Sequence, residues 1–287
     1  MKKSIILPLS LLFAMTVYAQ KPAYKLFKAD GSEASYDEMI KFVSQSDVVL
    51  FGEHHNNPIS HWMQLELSRD LYNQKGREII LGAEMFEADQ QVLLNEYLSG
   101  SVSAGMFQSQ ARLWDNYTTD YKPLLDFALD HQLPFIATNI PRRYASMVAD
   151  GGFEALDSLQ EPAYKWIAPL PMPYDSELPG YKKMMTMMGM HREPDPNMPK
   201  AQAVKDATMA YFILQNRSAN QLFIHYNGAY HSDNYEGIGW YLKEYEPTIE
   251  FSTITTVEQK ELNQLDEKYH KRADFILVTP VTMTKTY

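Results

Sequence analysis

The stretch Asp47–Asn57, DVVLFGEHHNN, decides the reading of this chain. Asp47–Phe51 is a run of β-branched and apolar residues, the pattern of a buried strand. It stops at Gly52, and Glu53, His54 and His55 follow at once. Asn57-Pro58 then signals a helix start, with Pro58 near the first helical position. A buried strand thus empties into a tight turn that holds a carboxylate and two imidazoles beside a helix N-terminus. In open α/β sheets that position is where ligands bind.

Three more stretches repeat this pattern. Glu78–Gly82 (EIILG) reads as a strand ending at Glu84 and Glu87. Leu133–Thr138 ends at Asn139, Pro141, Arg142 and Arg143, and Gln221–Tyr226 (QLFIHY) runs into Asn227, Gly228, Ala229, Tyr230 and His231. Between them lie apolar periodicities that predict helices over Tyr36–Ser44, from Ile59 to about Asn73, after Asp89, and over Tyr121–His131, Tyr144–Ala149, Lys200–Asn216 and Ile238–Tyr245. Thr248–Ile254 and Asp274–Thr279 read as the last strands. Alternation of strand and helix predicts an α/β fold, a mostly parallel sheet flanked by helices.

One segment breaks the alternation. From Pro162 to Lys200 prolines recur around a methionine-dense run, Met184, Met185, Met187, Met188 and Met190, followed by His191. It reads as an inserted helical or irregular lid that walls the site, or as a surface excursion packing its methionines on the core. Residues 20–287 otherwise read as a single domain. Met1–Ala19 has a basic start at Lys2 and Lys3, an apolar run and a small-residue end. It is expected to be a secretory signal peptide, since the run is short for a membrane span.

The 287 residues carry a formal charge of −10, two units more negative without Lys2 and Lys3, which argues against nucleic acid as a partner. With no cysteine there is no disulfide, no thiolate metal site and no lipid-bearing residue at the cleavage point. The protein is therefore expected to be periplasmic or extracellular. Nineteen tyrosines and sixteen methionines suit either a surface that grips a flat apolar ligand or an ordinary core.

In a parallel sheet the four polar turns share one edge, which brings Glu53, His54, His55, Glu84, Asn139, Arg142 and His231 together. Imidazole with carboxylate is the ligand set of zinc, iron or manganese, and open positions would leave room for an activated water. GEHH and GAYH both follow strands and both place a histidine three residues after a glycine. Glu84 paired with Arg142 in a structural ion pair is the blander reading. His225, inside a strand, reads as a core histidine, and His61 and His131 have no assigned role.

FGEHHNN, GAEMFEADQQVLLNEYLSG, LLDFALDHQLPFIATNIPRR, AQAVKDATMAYFI and HYNGAYH, in this order, resemble the ChaN family of iron-regulated, haem-binding proteins. The wider superfamily includes the Tiki metalloproteases, whose paired glycine-x-x-histidine motifs carry the metal, and is similar to erythromycin esterases. The resemblance implies an α/β domain with a helical subdomain and haem held between two subunits of a homodimer. It also implies a tyrosine axial ligand and a partner in outer-membrane haem uptake. Tyr144 is the preferred ligand, with Tyr174, Tyr181 and His191 as the others. Arg142 and Arg143 would grip the propionates, because guanidinium binds carboxylate in two-point fashion.

Two functions follow. One is an exported haem-binding protein in iron acquisition. The other is a metal-dependent hydrolase in which Glu53, His54, His55, Glu84 and His231 hold a divalent metal or activate water, Glu53 and Glu84 being the catalytic carboxylates.

Overall fold

Eight strands form one sheet among the described residues, 21–187 and 195–287 of the computed structural model. They are β1 Lys25–Lys28, β2 Glu33–Ala34, β3 Val48–Glu53, β4 Ile79–Glu87, β5 Phe135–Asn139, β6 Leu222–Gly228, β7 Phe251–Gln259 and β8 Phe275–Pro280. Their order is β2-β1-β8-β7-β3-β6-β4-β5. Strands β3 to β8 run parallel, while β1 pairs antiparallel with both β2 and β8. The expected α/β sheet is present. The leader expected over Met1–Ala19, and His191, lie outside the described residues.

Helices α1 Tyr36–Val43, α2 Pro58–Lys75, α3 Gln91–Leu98, α4 Ala104–Gln110 and α5 Lys122–His131 are followed by α6 Arg142–Gly151, α7 Pro179–Met187, α8 Asn197–Asn216 and α9 Ile238–Tyr245. Strand β3 shows why both sheet faces are covered. Val49 and Phe51 pack with Met63, Leu67 and Leu71 of α2, while Val48 and Leu50 pack with Ala207 and Ile213 of α8 and Leu242 of α9. Alternate side chains of one strand thus enter two separate cores, as the pleat requires.

Strands β3 and β6 are neighbours, yet α2 leaves β3 for one face and α9 leaves β6 for the other. That divergence opens a crevice at the C-terminal ends of the two strands. The helix start read at Asn57-Pro58 is real. The Asn57 side chain accepts from the backbone N–H groups of Ile59 and Ser60 at 3.1 Å, with Pro58 at the first helical position. Its amide donates to Thr279 Oγ1 at 2.8 Å, tying the start of α2 to β8.

The segment read as a lid carries a 3₁₀ turn, Glu161–Trp166, and the helix α7. Tyr181 on α7 packs into the core beside α8 and α9, so this part of the segment is anchored to the sheet's helical layer.

Candidate functional site

The two glycine-x-x-histidine motifs pack against each other at the crevice. A Cβ on Gly52 would stand 2.9 Å from the Ala229 Cα, and one on Gly228 would stand 2.8 Å from the His55 ring. Each glycine is thus the space that the other motif occupies.

Glu53 is the last residue of β3 and is buried. Its carboxylate accepts from Gln64 Nε2 at 2.6 Å and from the Tyr121 hydroxyl at 2.7 Å, and it lies 2.9 Å from His55 Nδ1. Three donors around one buried carboxylate fix its orientation. His55 also meets the edge of Trp114, with ring centroids 4.8 Å apart. Burial lowers the His55 pKa, but the bond to Glu53 and the charge of Glu84 outweigh it, so the net shift is upward.

Across the crevice, Glu84 sits where the pairing of β4 with β5 slips between Ala83 and Glu87. One of its oxygens accepts the Gly228 N–H at 2.7 Å, and the other lies 3.2 Å from His231 Nε2. His231 Nδ1 lies 2.5 Å from Asp206 Oδ1 on α8, and the Tyr181 hydroxyl donates to the other Asp206 oxygen at 2.9 Å. Burial alone would discharge this imidazole, but Glu84 and then Asp206 push its pKa up to about 10. The same pairing holds Glu84 well below the ordinary carboxylate range against its own burial. Asp206 is shifted upward by burial, which its partners only partly offset. The result is an imidazolium clamped between two carboxylates.

That clamp bears on the expected metal site. His231 Nδ1 is oriented by Asp206 and its Nε2 faces Glu84, an arrangement that also orients metal-ligating histidines. Among the described residues no group of three or more histidine, aspartate and glutamate side chains is arranged to hold a metal ion. His54 turns aside to lie 3.7 Å from Glu258. Four of the five residues therefore converge as two carboxylate–imidazole pairs.

Three clefts surround the pairs. One of about 600 Å³ is lined by Glu53, His55, His231 and Tyr230. Another of about 650 Å³ is lined by Trp114, Arg142 and Arg143, and a third of about 330 Å³ by Glu84, Asn139, Arg142 and Met198. They adjoin: Met184 and Gln202 line the first and third, Trp114 and Arg142 the second and third, and Tyr287 the first and second. Met184, from the segment read as a lid, is thus a wall of the site.

The remaining sequence candidates divide. Arg142 is exposed at the cleft rim with no hydrogen bond or ion pair among the described residues. The structural ion pair anticipated between Glu84 and Arg142 does not form, because Glu84 is taken by His231. Arg143 is held 2.6 Å from Asp89 and donates to the Tyr144 hydroxyl at 3.1 Å. Tyr144 lies in a core cluster with Val148, Leu156 and Val204 and lines none of the three clefts. Tyr181 is buried with its hydroxyl on Asp206, and burial pushes its phenol far up. Tyr174 stacks on Tyr181 and is half-buried. His225 is the core histidine expected: it lies 2.7 Å from Thr138 Oγ1, and burial lowers it to about 4.

Asp206, Tyr121, Gln64 and His61 escaped the sequence reading. His61 is buried, 3.0 Å from the His55 carbonyl through Nε2 and 3.5 Å from Glu53 through Nδ1. Asp206 had a legible signal, a carboxylate on the same helix face as Ala203, Ala207 and Ala210. Nothing local marks Tyr121 or Gln64, whose role depends on where α2 and α5 pack.

The chain matches the family described as haem-binding uptake, Tiki superfamily, ChaN, over residues 39–242. The protein belongs to that family. In fold it is similar to ChaN of Campylobacter jejuni, solved in a study of cofacial haem binding, at 15% identity and a TM-score of 0.66. That alignment covers 89% of this chain and 96% of the other. A Bacillus cereus protein (11% identity, TM-score 0.51, 90% and 95% covered) and the type III effector HopBA1 (13%, 0.50, 85% and 91%) share the architecture. No curated protein matches this chain in sequence.

Proposed function

We propose that the protein binds haem on the open face formed by the three adjoining clefts. Family membership carries this reading, and the donor set on that face suits the ligand. Trp114, Met184 and Met198 offer apolar and polarisable surface to a flat macrocycle. Arg142 is a guanidinium without a partner among the described residues, ready for a propionate, whereas Arg143 is already committed to Asp89. The buried carboxylates beneath favour a cation such as ferric iron. Haem bound on this face would supply an iron able to take a hard oxygen donor.

Several finer points belong to the same proposal. A flat ligand on an open face is covered on one side only, so a second copy of the chain closing over it gives the homodimer. An exported protein without a lipid-bearing cysteine works in the periplasm or outside the cell, where it would exchange haem with outer-membrane uptake machinery. Absorption titration of the purified protein with hemin tests the core of the proposal. A saturable Soret change at fixed stoichiometry supports it, and a linear response indistinguishable from free hemin refutes it.

One observation favours a second reading. Glu53, His55 and His231 line a shared cleft, with Glu84 and Asp206 holding His231 from behind. His55 next to a fixed carboxylate is placed to take a proton from water. This is a hydrolase reading without a metal. Ester turnover abolished in Glu53→Gln but indifferent to chelator would support it, and no turnover across a panel of esters would end it.

A further inference from the structure

Resting on the hydrolase reading, we propose that Arg272 is an anion subsite in the cleft that holds Glu53, His55 and His231, and that the ester taken there carries a carboxylate or phosphate. Arg272 lies on the loop that leads into β8, outside the residues 39–242 that match the family. It nevertheless lines that cleft of about 600 Å³. A chain of contacts sets it beside the turn after β3. Gly52, the residue before Glu53, pairs across the sheet with Thr255 of β7. The Thr255 hydroxyl donates to Asp233 Oδ1 at 2.6 Å, and the other Asp233 oxygen lies 3.4 Å from Arg272 Nη1.

What sets this arginine apart is hydrogen-bonding capacity left unspent. A guanidinium carries five N–H donors. Among the described residues none of the five makes a hydrogen bond. Asp233 balances the charge from 3.4 Å without forming one, and Nε is buried with no partner. The Tyr269 ring covers one face of the group, 4.7 Å from Cζ. The side chain is 26% exposed, so donors are withdrawn from water with nothing in the protein to accept from them. The imidazoles on the same cleft are engaged: His55 lies on Glu53, and His231 lies between Glu84 and Asp206. The backbone holds Arg272 in place at a cost. Lys271 and Asn234 both adopt left-handed backbone, with φ of 59° and 60°, and the Asn234 N–H donates to the Arg272 carbonyl at 2.7 Å. Such strain at non-glycine residues gathers at ligand sites. A planar guanidinium grips carboxylate and phosphate alike in two-point fashion, which is the chemistry this subsite offers to a substrate whose ester group reaches His55.

The test is steady-state hydrolysis by the full chain of three acetates: 4-acetoxybenzoate, 4-acetoxyphenyl phosphate and the neutral methyl 4-acetoxybenzoate. In each, water adds to the acetyl carbon, the ester C–O bond breaks, and the proton taken by His55 passes to the phenol oxygen. Wild type should favour one anionic acetate over the neutral one by about tenfold or more in kcat/KM, the order of one charge-assisted contact. Which of the two is favoured separates a carboxylate substrate from a phosphate one. Arg272→Gln should bring that ratio close to one through KM rather than kcat. Arg272→Lys, which keeps the charge but not the planar fork, should hold an intermediate ratio. Lys271→Gln, at the exposed neighbour, should keep the ratio in full. Circular dichroism checks that each variant is folded. Equal kcat/KM for all three acetates in the wild type, or a preference that survives Arg272→Gln, overturns the assignment and leaves the hydrolase reading standing. No turnover of any acetate brings down the hydrolase reading, and this assignment with it.

Discussion

Replacing His231 with alanine should destabilise the protein by about 3–5 kcal/mol, the range for breaking a buried ion pair and stranding its partner. The structure gives two routes to that size. His231 sits between Asp206 at 2.5 Å and Glu84 at 3.2 Å, all three buried, so its loss leaves two carboxylates facing each other without a cation. Its pKa of about 10 in the folded protein, against 6.5 as its ordinary value, is also worth roughly 4–5 kcal/mol at about 1.4 kcal/mol per pH unit. The upward shift of Asp206 takes back part of this. Because the folded value is the higher one, the His231 contribution is complete below about pH 6.5 and fades as the pH rises through 10. The assay is thermal unfolding followed by circular dichroism from pH 5 to 10. Wild type should lose stability between pH 7 and 10. His231→Ala should melt about 10 °C lower at pH 7, from the 2–4 °C per kcal/mol typical of larger domains. It should regain stability toward pH 5 as the stranded carboxylates take up protons. A difference under about 1 kcal/mol, or one constant across that range, would refute the clamp.

Three further outcomes can be checked. Gly52→Ala forces a Cβ to 2.9 Å from the Ala229 backbone, which cannot swing aside, and should cost about 1–3 kcal/mol in urea unfolding; a neutral result would contradict the tight packing of the two motifs. Tyr121→Phe removes the 2.7 Å bond to Glu53 and should cost about 1–3 kcal/mol in the same assay, for an acceptor that keeps two other donors. Arg142→Gln should lower hemin affinity about tenfold while leaving the dimethyl ester of hemin unaffected; equal losses for both would remove Arg142 from the propionate site.

The buried strands were legible because burial on both faces writes itself as an unbroken apolar run. DVVLF, EIILG and QLFIHY lie in or against β3, β4 and β6, and the parallel order then put Glu53, Glu84 and His231 on one edge. Strand ends were less so. Strand β4 runs on through Glu84 to Glu87, since the pairing slip lets a strand carry a carboxylate without ending. The hairpin of β1 and β2 went unread: KLFK and EA are too short and polar to show a period, and only pairing with β8 makes them strands. In β7 the run STITTVEQ is polar in composition yet largely buried, with Ser60 hydroxyl-bonded to Thr256 at 2.8 Å.

At the site, the sequence showed the residues that leave strands but not those arriving from helices. Asp206 turns the pair Glu84–His231 into a clamp, and it comes from a helix more than twenty residues earlier. Tyr144 drew attention by standing next to two arginines, and one of them, Arg143, is what occupies its hydroxyl. Tyr287 carries no motif at all. Its position follows from two hydrogen bonds of Thr286, which no local pattern announces.

The central claim is that haem occupies the C-terminal edge of the sheet. Hydrogen exchange with and without one equivalent of hemin locates the ligand directly. Slowed exchange should appear at the turn after β3, around His54–Asn57, at Tyr230–Asp233 and at Lys285–Tyr287. Protection confined to the apolar groove on another face of the protein, beside Phe42 and Phe275, would contradict the account.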